Sequence, residues 1–516
     1  MSLCAVSRFL EENPALDAAV SGSIEAGWAV ENSSFSLAVI SYDQEDPGVP
    51  VWEYHHLSSE NTRGTEHLDR DSQYLIGSIS KVITVYILLK SGIDLDAPVA
   101  GLLPPLRNPD STIPWQNITL RMLASHLGGI PVNFFLAYGL PPIDVSEYPP
   151  CGVTALNSAC SDQQILDGMT KSYPVTAPME GPAYSNSAFV IIGMALEEFT
   201  GKNYTELVQQ VVSNPLDLKN TGSSPGDDER AVIPPVDNSW GSEYGQNNPA
   251  GGLVSSVADL SKFSHALLSR TLDLTSIEID AWLKPASFAG GPHSTTGMPW
   301  EILRPLDLTP DHPHTVSIYG KNGAAFAYRS QLSFVDDYGI AVLILTAGPM
   351  RAANILTNAM LSTFVPAVDK VSRHQAKKYE GNFTSREGTD APIEASIVQD
   401  RDSLVLSSLH RNGSAIDLIE LWSVTMGDFI PKLNPPIRIF PTELATSSIL
   451  DGKPIVREVW HLRADLSSSS KTELPGKDLE NQDCVTWTIG DWVYYGGEPL
   501  DRILVNRDEN GDVIVT

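Results

Sequence analysis

Residues 74–90 read Tyr74-Leu-Ile-Gly-Ser78-Ile-Ser-Lys81-Val-Ile-Thr-Val-Tyr-Ile-Leu-Leu-Lys90, a small polar turn running into an apolar helix. Ser78 and Lys81 are three residues apart, a spacing that stacks both side chains on one helical face. A serine hydroxyl is a weak nucleophile at neutral pH, and an amine held in a partly dry pocket can take its proton. The stretch therefore predicts an acyl-transfer centre where a helix begins. Taken alone, the pair also fits a chance match on an amphipathic helix, so the reading depends on what the rest of the chain supplies.

Around this helix the apolar patterning sets the fold class. Residues 35–42 and 51–56 read as an antiparallel hairpin across an Asp-Gln-Glu-Asp-Pro-Gly turn. A Pro-rich, mostly helical stretch follows to about residue 310, and within it residues 118–131 read as a short helix capped by Thr119 and stopped by Gly128-Gly129. Strand patterns return at 314–320, 328–335 and 339–346, the last two joined by the turn 336–339. A helical pattern at 352–371 closes the region. The simplest assembly is an α/β (α+β) fold: one antiparallel sheet built from both ends of this region, flanked by helices, with a helical insert. Beyond residue 379 the texture changes to short runs at 403–409, 419–422 and 455–462, which predict a separate all-β, barrel-like domain with a loop at 467–476. The expected division is an N-terminal extension at 1–23, a catalytic domain at 24–371 and a C-terminal β domain at 372–516.

A chain of 516 residues is long enough for two or three domains. Its formal charge of -29, from 34 basic and 63 acidic residues, repels phosphate backbones and argues against nucleic acid as a partner. No run approaches the ~20 apolar residues that span a bilayer, so membrane insertion is not expected. The N-terminus has neither a basic n-region nor a long apolar h-region, which reads as an intracellular protein or one that starts after a cleavage. Two features favour the secretory pathway over the cytoplasm. Asn32, Asn117, Asn203, Asn382 and Asn412 head N-x-S/T sequons, acceptors for glycosylation in that compartment. Of the four cysteines, at 4, 151, 160 and 484, Cys151 and Cys160 bracket a short polar stretch and are the expected disulfide among three possible pairings. No C-x-x-C or adjacent histidine pair accompanies them, so neither zinc nor another metal or cofactor is expected. Oligomeric state leaves no mark on the sequence.

Acyl transfer from a serine needs a proton acceptor, a donor for the leaving group and an oxyanion hole. Tyr184 and Asn186, in Pro182-Ala-Tyr184-Ser-Asn186-Ser187, offer a second proton carrier and an amide able to hold Lys81 and substrate. A phenol beside two cations is expected to lose its proton easily. In Tyr319-Gly-Lys321-Asn322-Gly323-Ala324, read as the end of a strand, Lys321 supplies positive charge that could receive a carboxylate. Gly323 lets the backbone approach, leaving the Ala324 and Ser78 amides for an oxyanion.

With these three motifs in order, the sequence resembles the serine β-lactamase and penicillin-binding-protein superfamily over about residues 24–370, in the class C-like branch that holds esterases, D-stereospecific peptidases and acyltransferases. Residues 118–131 resemble the family segment I-T-L-R-x-L-L-x-H-x-S-G-L-P, and residues 250–263 resemble A-G-G-L-x-S-T-x-x-D-L-A-x-F. The C-terminal domain resembles the lipocalin-like β domain appended to some members, on Tyr379-Glu-Gly-Asn-Phe383 and the final strands. The resemblance implies that Ser78 is acylated, that Lys81 is its base, and that Tyr184 moves the proton between leaving group and water. It implies further that Asn186 positions Lys81 and substrate, that Lys321 gives electrostatic support, and that His126 is a buried hydrogen-bonding residue. Asn322 stands where lactamases commonly carry threonine, which turns the expectation from lactams towards small esters. The expected function is a metal-independent serine hydrolase or acyltransferase on a small ester, amide or lactam, with esterase or transesterase activity preferred. A D-amino-acid peptidase or β-lactamase is the enzymatic alternative, and a silent scaffold the alternative of another class.

Overall fold

The computed structural model describes residues 14–133, 151, 158–385, 390–426, 435–450, 452–465, 490–491, 494–495, 497–508 and 513–515. The chain divides into two compact units, residues 1–369 and 370–516.

The first unit is built on an eight-stranded antiparallel sheet: β1 (Ser34–Ser41), β2 (Trp52–His56), β3 (Ser287–Phe288), β4 (Ser294–Thr296), β5 (Glu301–Leu303), β6 (Ile318–Ala325), β7 (Tyr328–Val335) and β8 (Ile340–Ala347). Their order is β2-β1-β8-β7-β6-β5-β4-β3, so strands from the two ends of the unit lie side by side. All eight residues of β1 and of β8 are buried, because both faces of the sheet are covered. Period-2 alternation sorts them: Phe35, Leu37, Val39, Val342 and Ile344 join a core with Leu356, Phe364 and Val365, while Ala38, Ile40, Leu343 and Leu345 join a second core with Val82, Phe189 and Phe263.

Five helices frame the sheet: α1 (Pro14–Val20), α2 (Ser80–Lys90), α3 (Asn186–Thr200), α4 (Val257–Leu268) and α5 (Arg351–Ala376). Leu16 and Val20 of α1 pack on the α5-side core, which draws part of the expected extension into this unit. Helix α2 is buried from Ser80 to Leu88, matching its near absence of a polar face. The helix expected at 118–131 is only Leu120–Ala124; Thr119 does cap it, accepting from the Met122 amide. The turn between β7 and β8 uses Gly339 at φ 64°, a left-handed conformation that favours glycine.

β6 departs from expectation in a way that matters for the site. It starts at Ile318, not 314, and runs through the Lys-Asn-Gly motif to Ala325, paired with β7 along its length and with β5 at its start. His314, read as strand, is instead held in a loop by Thr309, the His312 carbonyl and Tyr338. Lys321 is therefore an interior residue of the sheet and not a lysine at a strand end.

The second unit is an antiparallel sheet in the order Gly381–Thr384, Ile393–Gln399, Leu404–Arg411, Ile437–Leu450, Lys453–Ala464, Arg502–Arg507 and Val513–Val515, with Ser414–Ala415 on the third strand. Among the described residues the sheet is open and not a closed barrel. Residues 419–422, read as a strand, lie in the helix Leu418–Met426. Leu418 and Trp422, four apart, both enter the core of this unit, a helical spacing that a four-residue apolar run does not reveal. The loop at 467–476, Cys4 and Cys484 fall outside the described residues. No described helix is long and apolar enough to cross a membrane.

Leu343, fully buried in β8, gives the direct test of the two-faced sheet. Leu343→Ala is expected to destabilise the protein by about 3 kcal/mol, read as a lowered urea midpoint of the full chain.

Candidate active site

Ser78 lies in the 3-10 turn Gly77–Ile79 that leads into α2, and Lys81 is the second residue of that helix. Several polar contacts fix this turn. Ser80 Oγ donates to the Gly77 carbonyl at 2.7 Å and accepts from the Leu253 amide at 3.2 Å. Thr84 Oγ1 lies 2.8 Å from the Pro249 carbonyl, so α2 is tied to the 249–253 segment one turn further on. The same segment turns the Ala250 carbonyl towards Lys81.

Lys81 is fully buried, and its amine has three neighbours at hydrogen-bonding distance: Asn186 Oδ1 at 2.8 Å, the Ala250 carbonyl at 2.5 Å and Ser78 Oγ at 2.9 Å. Burial holds its pKa well below that of a free lysine; the charge of Lys321 adds to the fall and Glu301 works against it. A neutral amine has two N–H bonds and one lone pair. Asn186 Oδ1 and the Ala250 carbonyl are acceptors only, so in the neutral state they would take the two protons and the lone pair would be left for the Ser78 hydroxyl.

Asn186 is available for this because Ser185, its neighbour, does the capping. Ser185 Oγ accepts from the Ala188 amide at 2.9 Å and donates to the Pro131 carbonyl at 2.7 Å, which starts α3 at Asn186. The Asn186 Nδ2 donates to Asn133 Oδ1 at 3.0 Å, fixing the amide so that its oxygen faces Lys81. His126 is buried, as the family segment implies: its Nδ1 accepts from the Ser185 amide at 3.1 Å, and its ring lies 4.5 Å from that of Tyr184. Burial drives its pKa well below that of a free histidine, with Lys81 and Lys321 adding to the effect, so it supports Tyr184 as a neutral ring.

Tyr184 hydrogen-bonds Ser78 Oγ at 2.7 Å, and its ring lies 5.1 Å from the Lys81 amine and 5.2 Å from that of Lys321. The expectation of an acidic phenol does not hold. Although 37% of the residue faces the cleft, burial at the hydroxyl end pushes the phenol up to about 12; the Ser78 bond opposes this and Glu301 adds to it. Burial of the phenol itself outweighs the two lysines beside it. Tyr184 is thus a proton donor at rest.

Lys321 is fully buried and pairs with Glu301 Oε1 at 2.5 Å. Burial lowers its pKa, while the charge and hydrogen bond of Glu301 hold it up. Asn322 gives Glu301 Oε2 two more bonds, from its backbone amide at 3.0 Å and its side-chain amide at 2.5 Å. The lysine read as free to receive a carboxylate already has one. Beside it, the start of α2 and the end of β6 come into backbone contact: a Cβ on Gly77, at φ 49°, would lie 2.4 Å from the Ala324 nitrogen, and one on Gly323 would lie 2.1 Å from the Ile76 carbonyl oxygen. Only glycine at both positions lets the Ser78 and Ala324 amides approach each other.

Ser78, Lys81, Tyr184, Asn186, Lys321, Asn322, Gly323 and Ala324 are thus brought together. Asn133 and Glu301, ordinary polar residues, join them without a sequence signal, and Ala250, first residue of the family-like segment 250–263, joins through its backbone carbonyl.

Residues 42–361 match the family model described as Beta-lactamase. The chain belongs to the beta-lactamase family. Residues 371–515 match a second model, Beta-lactamase-like-like, C-terminal domain. A beta-lactamase-like protein of Arthroderma benhamiae is 42% identical, covering 97% of this chain and 88% of its own. A Phoma protein named "Probable hydrolase M10" is 25% identical over 93% of this chain and 82% of its own. Two solved structures share the fold: a beta-lactamase/D-alanine carboxypeptidase of Yersinia pestis (TM-score 0.52) and a D-amino acid amidase of Ochrobactrum anthropi (TM-score 0.51), each 20% identical over 69% of this chain and 99% of the other.

The polar groups of the cleft are largely paired with one another. The one group of three metal-ligating side chains among the described residues, His461, Asp491 and Asp501, belongs to the second unit. Cys151 and Cys160 are joined by a disulfide with sulfurs 2.01 Å apart. Asn117, Asn203, Asn382 and Asn412 are exposed, Asn32 is partly buried, and Asn203 also caps the helix Tyr204–Leu207.

The pH dependence of Ser78 acylation tests the neutral-amine arrangement. A Lys81 that takes the Ser78 proton must be deprotonated, so on that expectation acylation falls as pH drops through its lowered pKa. Lys321→Met removes a like charge and leaves Glu301, both of which raise the Lys81 pKa, so the acid limb should move to higher pH. A limb that stays in place or moves to lower pH contradicts the arrangement.

Proposed function

We propose that the protein is a serine hydrolase or acyltransferase that forms a Ser78 acyl-enzyme on a small ester, amide or lactam, with esterase or transesterase activity preferred. The observation that carries this reading is the buried Lys81 amine, 2.9 Å from Ser78 Oγ and held there by Asn186 Oδ1 and the Ala250 carbonyl.

In acylation, Ser78 Oγ attacks the carbonyl carbon and passes its proton to Lys81. The Ser78 and Ala324 amides receive the charge on the carbonyl oxygen, and Tyr184 gives its proton to the departing alcohol or amine. This leaves Lys81 as an ammonium and Tyr184 as a phenolate, two charges that stabilise each other across Ser78. In the second half, water or an acceptor alcohol gives its proton to Tyr184 and attacks the acyl carbon, while Lys81 returns its proton to Ser78. Every proton that leaves a side chain is restored.

Esters are favoured because Asn322 stands at the position of a lactamase threonine and its amide is engaged by Glu301. A D-amino-acid peptidase of the kind named among the fold neighbours needs an acid group for a free amine. Glu301 is already held by Lys321 and Asn322, which weighs against that reading. The complete proton network weighs against a silent scaffold, which has no physical need for two buried lysines.

A fluorophosphonate probe should label Ser78, and p-nitrophenyl esters should be turned over. Ser78→Ala is expected to abolish labelling and lower kcat by about 10³-fold or more. Wild-type protein that neither labels nor turns over short esters, amides or lactams sinks the reading. The disulfide and the exposed sequons support passage through the secretory pathway. Glycosidase treatment of native material should then increase gel mobility, and an unchanged band speaks for the cytoplasm.

A further inference from the structure

Glu301 enters the cleft from β5, opposite Gly320 of β6, and its side chain reaches the two residues that follow that glycine. Its two oxygens take donors from both of them, and Lys321 donates a second time to the Asn322 carbonyl. Oε1 accepts from the Lys321 ammonium, while Oε2 accepts from both the backbone and the side-chain amide of Asn322. Lys321 is sealed from solvent, whereas the Glu301 side chain is 37% exposed. A molecule entering the cleft at this end therefore meets a carboxylate and not a cation.

One cation and one amide pair are arranged as they would be for a substrate carboxylate, and a residue of the protein fills the position. A second carboxylate brought there would find the bonds that Glu301 makes already taken and a like charge beside it. It would also approach against the field of a molecule with formal charge -29. A neutral substituent meets neither obstacle.

Resting on the serine acyl-enzyme reading above, we propose that Glu301 is a built-in carboxylate that fills the acid-receiving position of the cleft and selects acyl substrates with no carboxylate near the scissile bond. Glu301 is in this role a specificity residue that touches substrate through exclusion. It takes no part in the proton transfers.

The test compares phenyl acetate with 3-carboxyphenyl acetate, each rate normalised to the spontaneous hydrolysis of that ester. Wild-type kcat/KM is expected to favour the neutral ester by about tenfold or more, and Glu301→Gln to shift the anionic-to-neutral ratio upward by about tenfold. The ratio is read within each enzyme, so a general loss of activity in the variant does not imitate the effect. A wild-type measurement stands beside it in case the variant fails to fold: 3-carboxyphenylboronate should inhibit the neutral-ester reaction more weakly than phenylboronate. Equal use of both esters, or equal inhibition by both boronates, overturns the role of Glu301 while leaving the acyl-enzyme intact. A ratio unmoved by Glu301→Gln in folded protein does the same. Absence of neutral-ester turnover together with absence of Ser78 labelling overturns the acyl-enzyme reading itself.

Discussion

The active centre depends on burying one amine. Lys81 sits out of reach of solvent, held by Asn186 and the Ala250 carbonyl. An isolated ammonium in that position would cost several kcal/mol of lost hydration. The site meets the cost by lowering the pKa of the amine and surrounding it with the Asn186, Ala250 and Ser78 oxygens. This requirement reaches far into the fold. Asn186 must begin a helix, so Ser185 caps it; Asn133 must hold the amide in one orientation; and the segment at 249–253 must be stitched to α2 by Ser80 and Thr84.

Around that amine the cleft is close to electrically balanced. Lys321 and Glu301 form a pair, Tyr184 keeps its proton, and His126 is an uncharged ring beside it. The balance has a consequence for the reaction. In the proposed reaction the new charges, an ammonium and a phenolate, would arise on either side of Ser78, beside the standing Lys321–Glu301 pair.

Much of this was legible in residue order. Ser78 with Lys81, Tyr184 with Asn186, and Lys321 with Gly323 carry chemistry in their side chains or in the absence of one, and the β1 and β8 patterns announce buried strands. What escaped has physical reasons. Ala250 acts through a carbonyl that every residue possesses. Glu301 gains its importance only from the register that sets it opposite Gly320. The phenol of Tyr184 was expected to be acidic because two lysines were placed beside it; its own burial, visible only in three dimensions, reverses the sign. Leu418 and Trp422 fit a strand until their common burial reveals a helical face.

The pairing of β1 with β8 sets the order in which this enzyme can come into being. Ser34 faces Ala347 and Ser41 faces Ile340, so the middle of the sheet joins residues from opposite ends of the unit. During synthesis, β1 and its hairpin partner β2 emerge early with β1 lacking its other neighbour, and the apolar helix that bears Lys81 follows with no sheet to cover it. Ser78 is thus made long before most of the residues that surround it. Until Tyr184, Asn186 and Ala250 have been made and folded against α2, Ser78 and Lys81 are an ordinary serine and lysine on a nascent chain.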